Sequence, residues 1–166
     1  MKLDALERYL NSFGRQVINQ AKANLAEADK GEKLEKSIGF FITADKGLIT
    51  VKFKMLPYGK FVDKGVSGTE NERSYTNYKG KTLVSPFRYK KSKGHSQPPT
   101  KALDKWIVKK GIAPRDKAGK FMSRKTIKFL IARSIGKKGI QGISFFQKPL
   151  MLGMQEFSGK FGASLK

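Results

Sequence analysis

The sequence predicts an α+β fold: a long N-terminal helix packed on a small antiparallel β-sheet, with C-terminal helices after it. Three patterns carry that prediction. Apolar residues recur every three or four positions from Leu3 to Ala28, residues 37–55 alternate apolar and polar, and helical spacing returns after Thr100. Between the last two patterns, residues 66–99 show no period at all.

The first helix spans residues 3–29. Leu3, Leu6, Leu10, Phe13 and Val17 set its stripe, and Ala21, Leu25 and Ala28 continue it. Gly14 costs it about 1 kcal/mol relative to alanine. Asp29-Lys30-Gly31 is the stop. The stripe is narrow, closer to a helix–helix seam than to a broad core face. Residues 37–55 follow as a hairpin. Ile38, Phe40 and Ile42 face one way on its first strand, and Ile49, Val51, Phe53 and Met55 match them on the second. Ala44-Asp45-Lys46-Gly47 is the turn. Phe61 and Val62, just after Pro57, are placed to cap the apolar face of the hairpin.

The stretch 66–99 exceeds the usual length of a loop inside a domain and reads as a functional loop. Leu83, Val84, Phe87 and Tyr89 within it are candidates for a third strand. Thr100–Lys110 is a short helix with Leu103, Trp106 and Ile107 on its apolar face, and residues 112–121 form a turn-rich connector. Ser123 suits the N-cap of a helix that runs through Ile135, with Ile127, Leu130, Ile131 and Ile135 on one arc and Gly136 and Gly139 at its end. Pro149 starts the last helix, which runs to Phe157. Residues 1–157 thus form one domain, and 158–166 a loose tail. There is no internal repeat.

Charge is the strongest functional signal. Of the net +22, residues 73–166 carry +20, with 23 Lys+Arg against Asp104, Asp116 and Glu156. A surface so short of counter-charge repels itself, so an acidic partner is expected. The plain alternative is the solvated face of amphipathic helices. That alternative calls for interspersed acids, and residues 117–155 contain none. The candidate contacts for DNA or another acidic partner are Arg88, Lys90, Lys91, Lys93, Lys109, Lys110, Arg124, Lys125, Lys128, Arg133, Lys137 and Lys138. Aromatics lie among them, as in Phe87-Arg88-Tyr89-Lys90-Lys91 and Lys128-Phe129, which suits stacking on single strands as well as an ordinary core beside a basic rim. Readout of particular bases is not expected.

Catalytic chemistry has little to work with. The chain has no cysteine, which excludes disulfides, thiol nucleophiles and cysteine metal sites. Its one histidine, His95, lies in the polar loop without acidic neighbours and reads as a solvated residue. Paired carboxylates are weak candidates: Glu70 and Glu72 stand alone in the polar stretch, and Glu32 and Glu35 suit a solvated turn. Asp63 is flanked by Lys60 and Lys64 and reads as a structural ion pair. Gly-Lys-Lys-Gly at 136–139 lacks the spacing of a phosphate loop and follows a helix instead of a strand. No enzyme and no cofactor are expected. A metal-dependent nuclease using Asp63 or Asp116 is the residual catalytic reading. No signal peptide or membrane span is expected either, which places synthesis in a cytoplasm.

Several strings, in order, resemble a family. After the long helix and hairpin comes Pro57-Tyr58-Gly59-Lys60-Phe61-Val62-Asp63-Lys64-Gly65. Later come Trp106-Ile107-Val108-Lys109-Lys110-Gly111-Ile112, Arg115-Asp116, Ile131-Ala132-Arg133-Ser134-Ile135 and Phe145-Phe146-Gln147-Lys148-Pro149-Leu150. This succession resembles the tail-completion and head–tail connector (neck, minor tail) proteins of tailed phages, although the segment 100–135 is longer than in the simplest members. The resemblance covers most of residues 3–157. It implies an α+β virion protein without enzymatic activity, forming a ring of six or twelve copies between portal or connector and tail, with DNA in the lumen and no membrane. The implied locale is the virion neck or tail, assembled in a host cytoplasm. On that reading Leu3, Leu6, Leu10, Phe13 and Val17, with the hairpin edge, are the candidate subunit contacts. The other reading is a DNA-binding or packaging accessory protein that does not read sequence.

Overall fold

The N-terminal stripe forms one helix, α1 (Leu3–Glu27), and the alternating segment forms strands β1 (Gly39–Asp45) and β2 (Leu48–Lys54), with the short helix α2 (Glu32–Ser37) between helix and hairpin. A computed structural model describes residues 3–28, 32–45, 48–92 and 96–164, with side chains from Leu6 to Ser158 within those ranges. The stop at 29–31 and the turn residues Lys46 and Gly47 lie outside the described residues. The fold is α+β, a long helix with a small antiparallel hairpin and C-terminal helices. Its contacts gather into two units: Met1–Lys64, Tyr75–Leu83 and Gly142–Lys166 in the first, Gly65–Ser74 and Val84–Gln141 in the second.

In the first unit, α1 buries Val17, Ile18, Ala21 and Leu25. They meet Leu34 of α2, Ile38, Phe145 and Phe146, all removed from water. The hairpin register pairs Phe40 with Phe53 and Ile42 with Val51, so the alternating apolar set shares one face as predicted. Phe40, Phe53, Met55 and, from the short helix α3 (Gly59–Lys64), Val62 pack against the core. Phe61 is exposed, so of the two residues expected to cap the hairpin only Val62 packs inward, and Phe13 and Phe146 meet Phe53 on its apolar face.

The last helix, α6 (Gln147–Ser164), begins two residues before Pro149. Proline is tolerated there because first-turn N–H groups lack intrahelical partners. The helix continues through most of the segment expected to be a loose tail. It lies along α1: Phe157 stacks near Tyr9 and Phe13, at 5.4 and 6.1 Å between ring centroids. Gly153 makes this approach possible, because a Cβ there would sit 2.9 Å from the Phe13 ring and 3.1 Å from a Val17 methyl. The narrow stripe is therefore a helix–helix seam within the chain. Val17, at 1% exposure, is core and is not a subunit contact. Phe13 likewise packs internally. Leu6 and Leu10 are half-buried, and the side chain of Leu3 lies outside those described.

The second unit contains the short strands β3 (Val66–Ser67) and β6 (Gly139–Ile140), paired antiparallel, and the helices α4 (Asp104–Lys109) and α5 (Arg124–Lys138). A 3-10 turn at Thr100–Leu103 leads into α4. Ser123 caps α5 as predicted, its hydroxyl accepting the Thr126 N–H. That helix runs three residues past Ile135 and closes at Gly139, whose φ of 75° is accessible to glycine without strain. Its buried side is Ile127, Ala132 and Gly136, while Leu130, assigned to the apolar arc from sequence, is exposed. Trp106 is also exposed, and Ile107 alone of the expected α4 face is buried.

The third strand is corrected as well. Leu83 and Val84 belong to β5 (Thr82–Val84), which pairs with β4 (Ser74–Thr76) in a separate hairpin. Phe87 and Tyr89 flank a single parallel bridge between Arg88 and Ser67 that does not extend into a strand: Ser67 N–H donates to the Phe87 carbonyl, and Tyr89 N–H to the Ser67 carbonyl. The buried hydroxyls of Ser67 and Ser85 take further backbone bonds, from Arg73 N–H and Phe87 N–H. The aperiodic stretch is thus tied by backbone and serine hydrogen bonds.

Candidate functional site

The second unit holds 18 Lys+Arg and 4 Asp+Glu, a net +14, so most of the chain's positive charge gathers there. All four acids are engaged locally. Glu70 pairs with Lys137 at 2.7 Å, Glu72 with Arg88, and Asp104 with Lys128 at 2.9 Å. Asp116 accepts the N–H groups of Ala118 and Lys120. Lys137 beside Glu70 holds that carboxyl below its usual range. Burial pushes the Tyr89 hydroxyl up.

The twelve candidate cations therefore divide. Arg88, Lys128 and Lys137 each hold an acid. Lys90, Lys91, Lys109, Arg124, Lys125, Arg133 and Lys138 make no ion pair among the described residues. Lys110 is exposed at the end of α4, and Lys93 lies outside the described residues, as does His95. Arg133 and Lys91 reach the same acid field as Lys137 around Glu70. Beside these charges stand exposed aromatic rings: Phe129 on α5, 48% exposed, Trp106 on α4, 43%, and Phe121. Among the described residues the unit buries only Ile107, Ile127 and Ala132 as apolar core, and several of its large apolar groups, Trp106, Phe121, Phe129 and Leu130 among them, are exposed.

Sequence reasoning overlooked one basic element, the connector 112–121. It is an ordered hairpin-like turn in which Arg115 and Phe121 form an antiparallel bridge and the guanidinium lies 3.7 Å from the ring centroid. Arg115, Lys117 and Lys120 are exposed on it. The available signal was Asp116 three residues before Gly119, a turn pattern in which the aspartate bonds to the backbone two residues on.

The first unit explains Asp63 differently from the expected ion pair. Asp63 is 3% exposed, and its carboxylate accepts Phe146 N–H at 2.9 Å and Gln147 N–H at 3.4 Å. Burial pushes its carboxyl above 3.8, opposed by these N–H bonds and least by Lys64. It caps the start of α6, and Val62 and Asp63 carbonyls accept the N–H groups of Ile143 and Ser144. The strings 57–65 and 145–150, widely separated in sequence, are thus bonded to each other.

No family model, curated protein or solved structure matches the chain.

What the arrangement does chemically follows from its groups. Uncompensated ammonium and guanidinium groups next to open aromatic faces attract a polyanion and offer stacking to its rings. No group of three or more His, Asp or Glu side chains close enough to share a metal ion occurs among the described residues. No helix there is long and apolar enough to cross a membrane.

Proposed function

We propose that this chain is a structural, non-enzymatic protein of a tailed-phage virion that forms a ring at the head–tail junction. Its second unit holds the DNA passing through by charge, without reading its sequence. The observation that carries the reading is the mutual bonding of the two strings on which the resemblance rests, 57–65 and 145–150, through Asp63 and the start of α6. It gives both strings one structural job, in the order the resemblance implies. The net +14 of the second unit supports the role for DNA, since a ring multiplies each basic patch by its copy number. The edges of the β1–β2 hairpin, which pairs with no other strand among the described residues, suit strand pairing between copies.

Native mass spectrometry of the expressed chain with its particle tests the assembly: a closed symmetric oligomer incorporated in virions is expected, and a monomer absent from particles contradicts it. The second reading, a DNA-binding or packaging accessory protein, is favoured by the same basic unit. It shares the salt-dependent binding and differs in leaving no copy in the finished particle.

A further inference from the structure

We propose that a pocket beside the C-terminal half of α5 is a subsite for one nucleotide of a single-stranded nucleic acid: Lys91, Arg133 and Lys137 take the phosphate, and Phe129 takes the base. This goes beyond the holding of duplex DNA and stands apart from that reading. The cavity measures about 380 Å³ and brings together Glu70, Lys91, Gln97, Phe129, Arg133 and Lys137, all from the second unit. That volume lies within the range of small-ligand sites and suits one nucleotide, not a duplex.

The walls are held by backbone. Thr69 N–H donates to the Gly136 carbonyl at 2.9 Å, and Glu70 and Asn71 N–H groups both donate to the Lys137 carbonyl. Gly136 lets the opposite wall close in, since a Cβ there would fall 2.0 Å from the Ser96 carbonyl oxygen. The last carbonyls of α5 on this side are therefore covered by N–H donors and do not repel an anion.

Glu70 marks where the phosphate goes. Its carboxylate sits on the Lys137 ammonium at 2.7 Å, and Lys91 and Arg133 line the same pocket and add attraction to an anion there. The pair is half-exposed and weak enough for a phosphodiester to displace it. A bare anion site needs no ring. Here Phe129, one turn before Arg133 on the same helix, presents about half its surface to solvent beside the cations. Positions four apart lie on one helix face, so ring and guanidinium are placed to engage a base and its own phosphate.

The test uses the full chain and fluorescence anisotropy with three labelled probes: a short oligothymidylate, a duplex of equal length and an oligoglutamate peptide. Phe129→Ala removes no charge and no buried group. It is expected to weaken oligothymidylate binding about fivefold or more, the effect of one lost base stack, and to leave the duplex nearly unchanged. Arg133→Ala is expected to weaken oligothymidylate more than Lys117→Ala, which removes the same charge outside the pocket. Glu70→Gln is expected to tighten it about two- to fivefold, the range of one exposed ion pair. Equal binding of oligothymidylate by wild type and Phe129→Ala overturns the subsite, while duplex binding with a steep salt slope leaves the broader DNA role standing. Absence of binding to both nucleic acids at low salt overturns that broader role. Oligoglutamate bound as tightly, and equally sensitive to Phe129→Ala, overturns the nucleotide in favour of an acidic protein segment.

Discussion

Asp63 shows how one side chain ties distant parts of the chain. Its carboxylate supplies the acceptor that the first N–H groups of α6 otherwise lack. Removing the acceptor in Asp63→Ala is expected to cost about 1–2 kcal/mol in urea denaturation. Asp63→Asn keeps a side-chain oxygen for the same N–H groups and is expected to cost less. The two also differ in pH dependence. The folded carboxyl is raised above 3.8 by burial, so the folded chain holds this proton to higher pH than the unfolded chain. The stabilising contribution of that proton is complete below the unfolded value and is lost as pH rises through the raised folded value. Wild type should therefore decline relative to Asp63→Asn across that window, and equal slopes for the two contradict the assignment. The sequence singled out Asp63 through its lysine neighbours, but its actual partners lie 83 and 84 residues away in the backbone. A main-chain partner at that separation leaves no mark in side-chain spacing.

Among the elements, the seam of α1 with α6 depends on Gly153 as much as on the apolar stripe. Gly153→Val is expected to cost about 1–3 kcal/mol by overpacking against Phe13 and Val17, whereas Met154→Ala, an exposed neighbour, should stay within about 0.5 kcal/mol. Thermal unfolding of the two variants checks this. Ser123→Ala should cost about 1 kcal/mol through the lost cap of α5. These elements were legible because their periodicity or cap is local: α1, the hairpin faces and the Ser123 cap all follow from neighbouring residues. The segment 66–99 was not, because buried Ser67 and Ser85 hold it by backbone bonds that no periodicity records. Leu130 and Trp106 also misled, since helical spacing identifies large apolar groups without saying whether a core meets them. In the first unit the stripe finds α6 and the hairpin; in the second, these two side chains stay exposed.

For the whole molecule, charge was the most legible property and its arrangement the least. Composition divided the sequence at residue 73; the fold gathers +14 into a unit built from two separate stretches and engages all four of its acids. Binding to duplex DNA is accordingly expected to fall steeply with salt, by about a thousandfold between roughly 50 and 200 mM if about six phosphates are neutralised. Exchange of one base pair for another should change it little. Flat salt dependence excludes charge as the means of holding DNA. Imaging of the assembled particle decides where the chain sits. It is expected as a closed symmetric ring at the head–tail junction with its second unit toward the DNA, and particles with no copy of the chain at that junction overturn the proposed function.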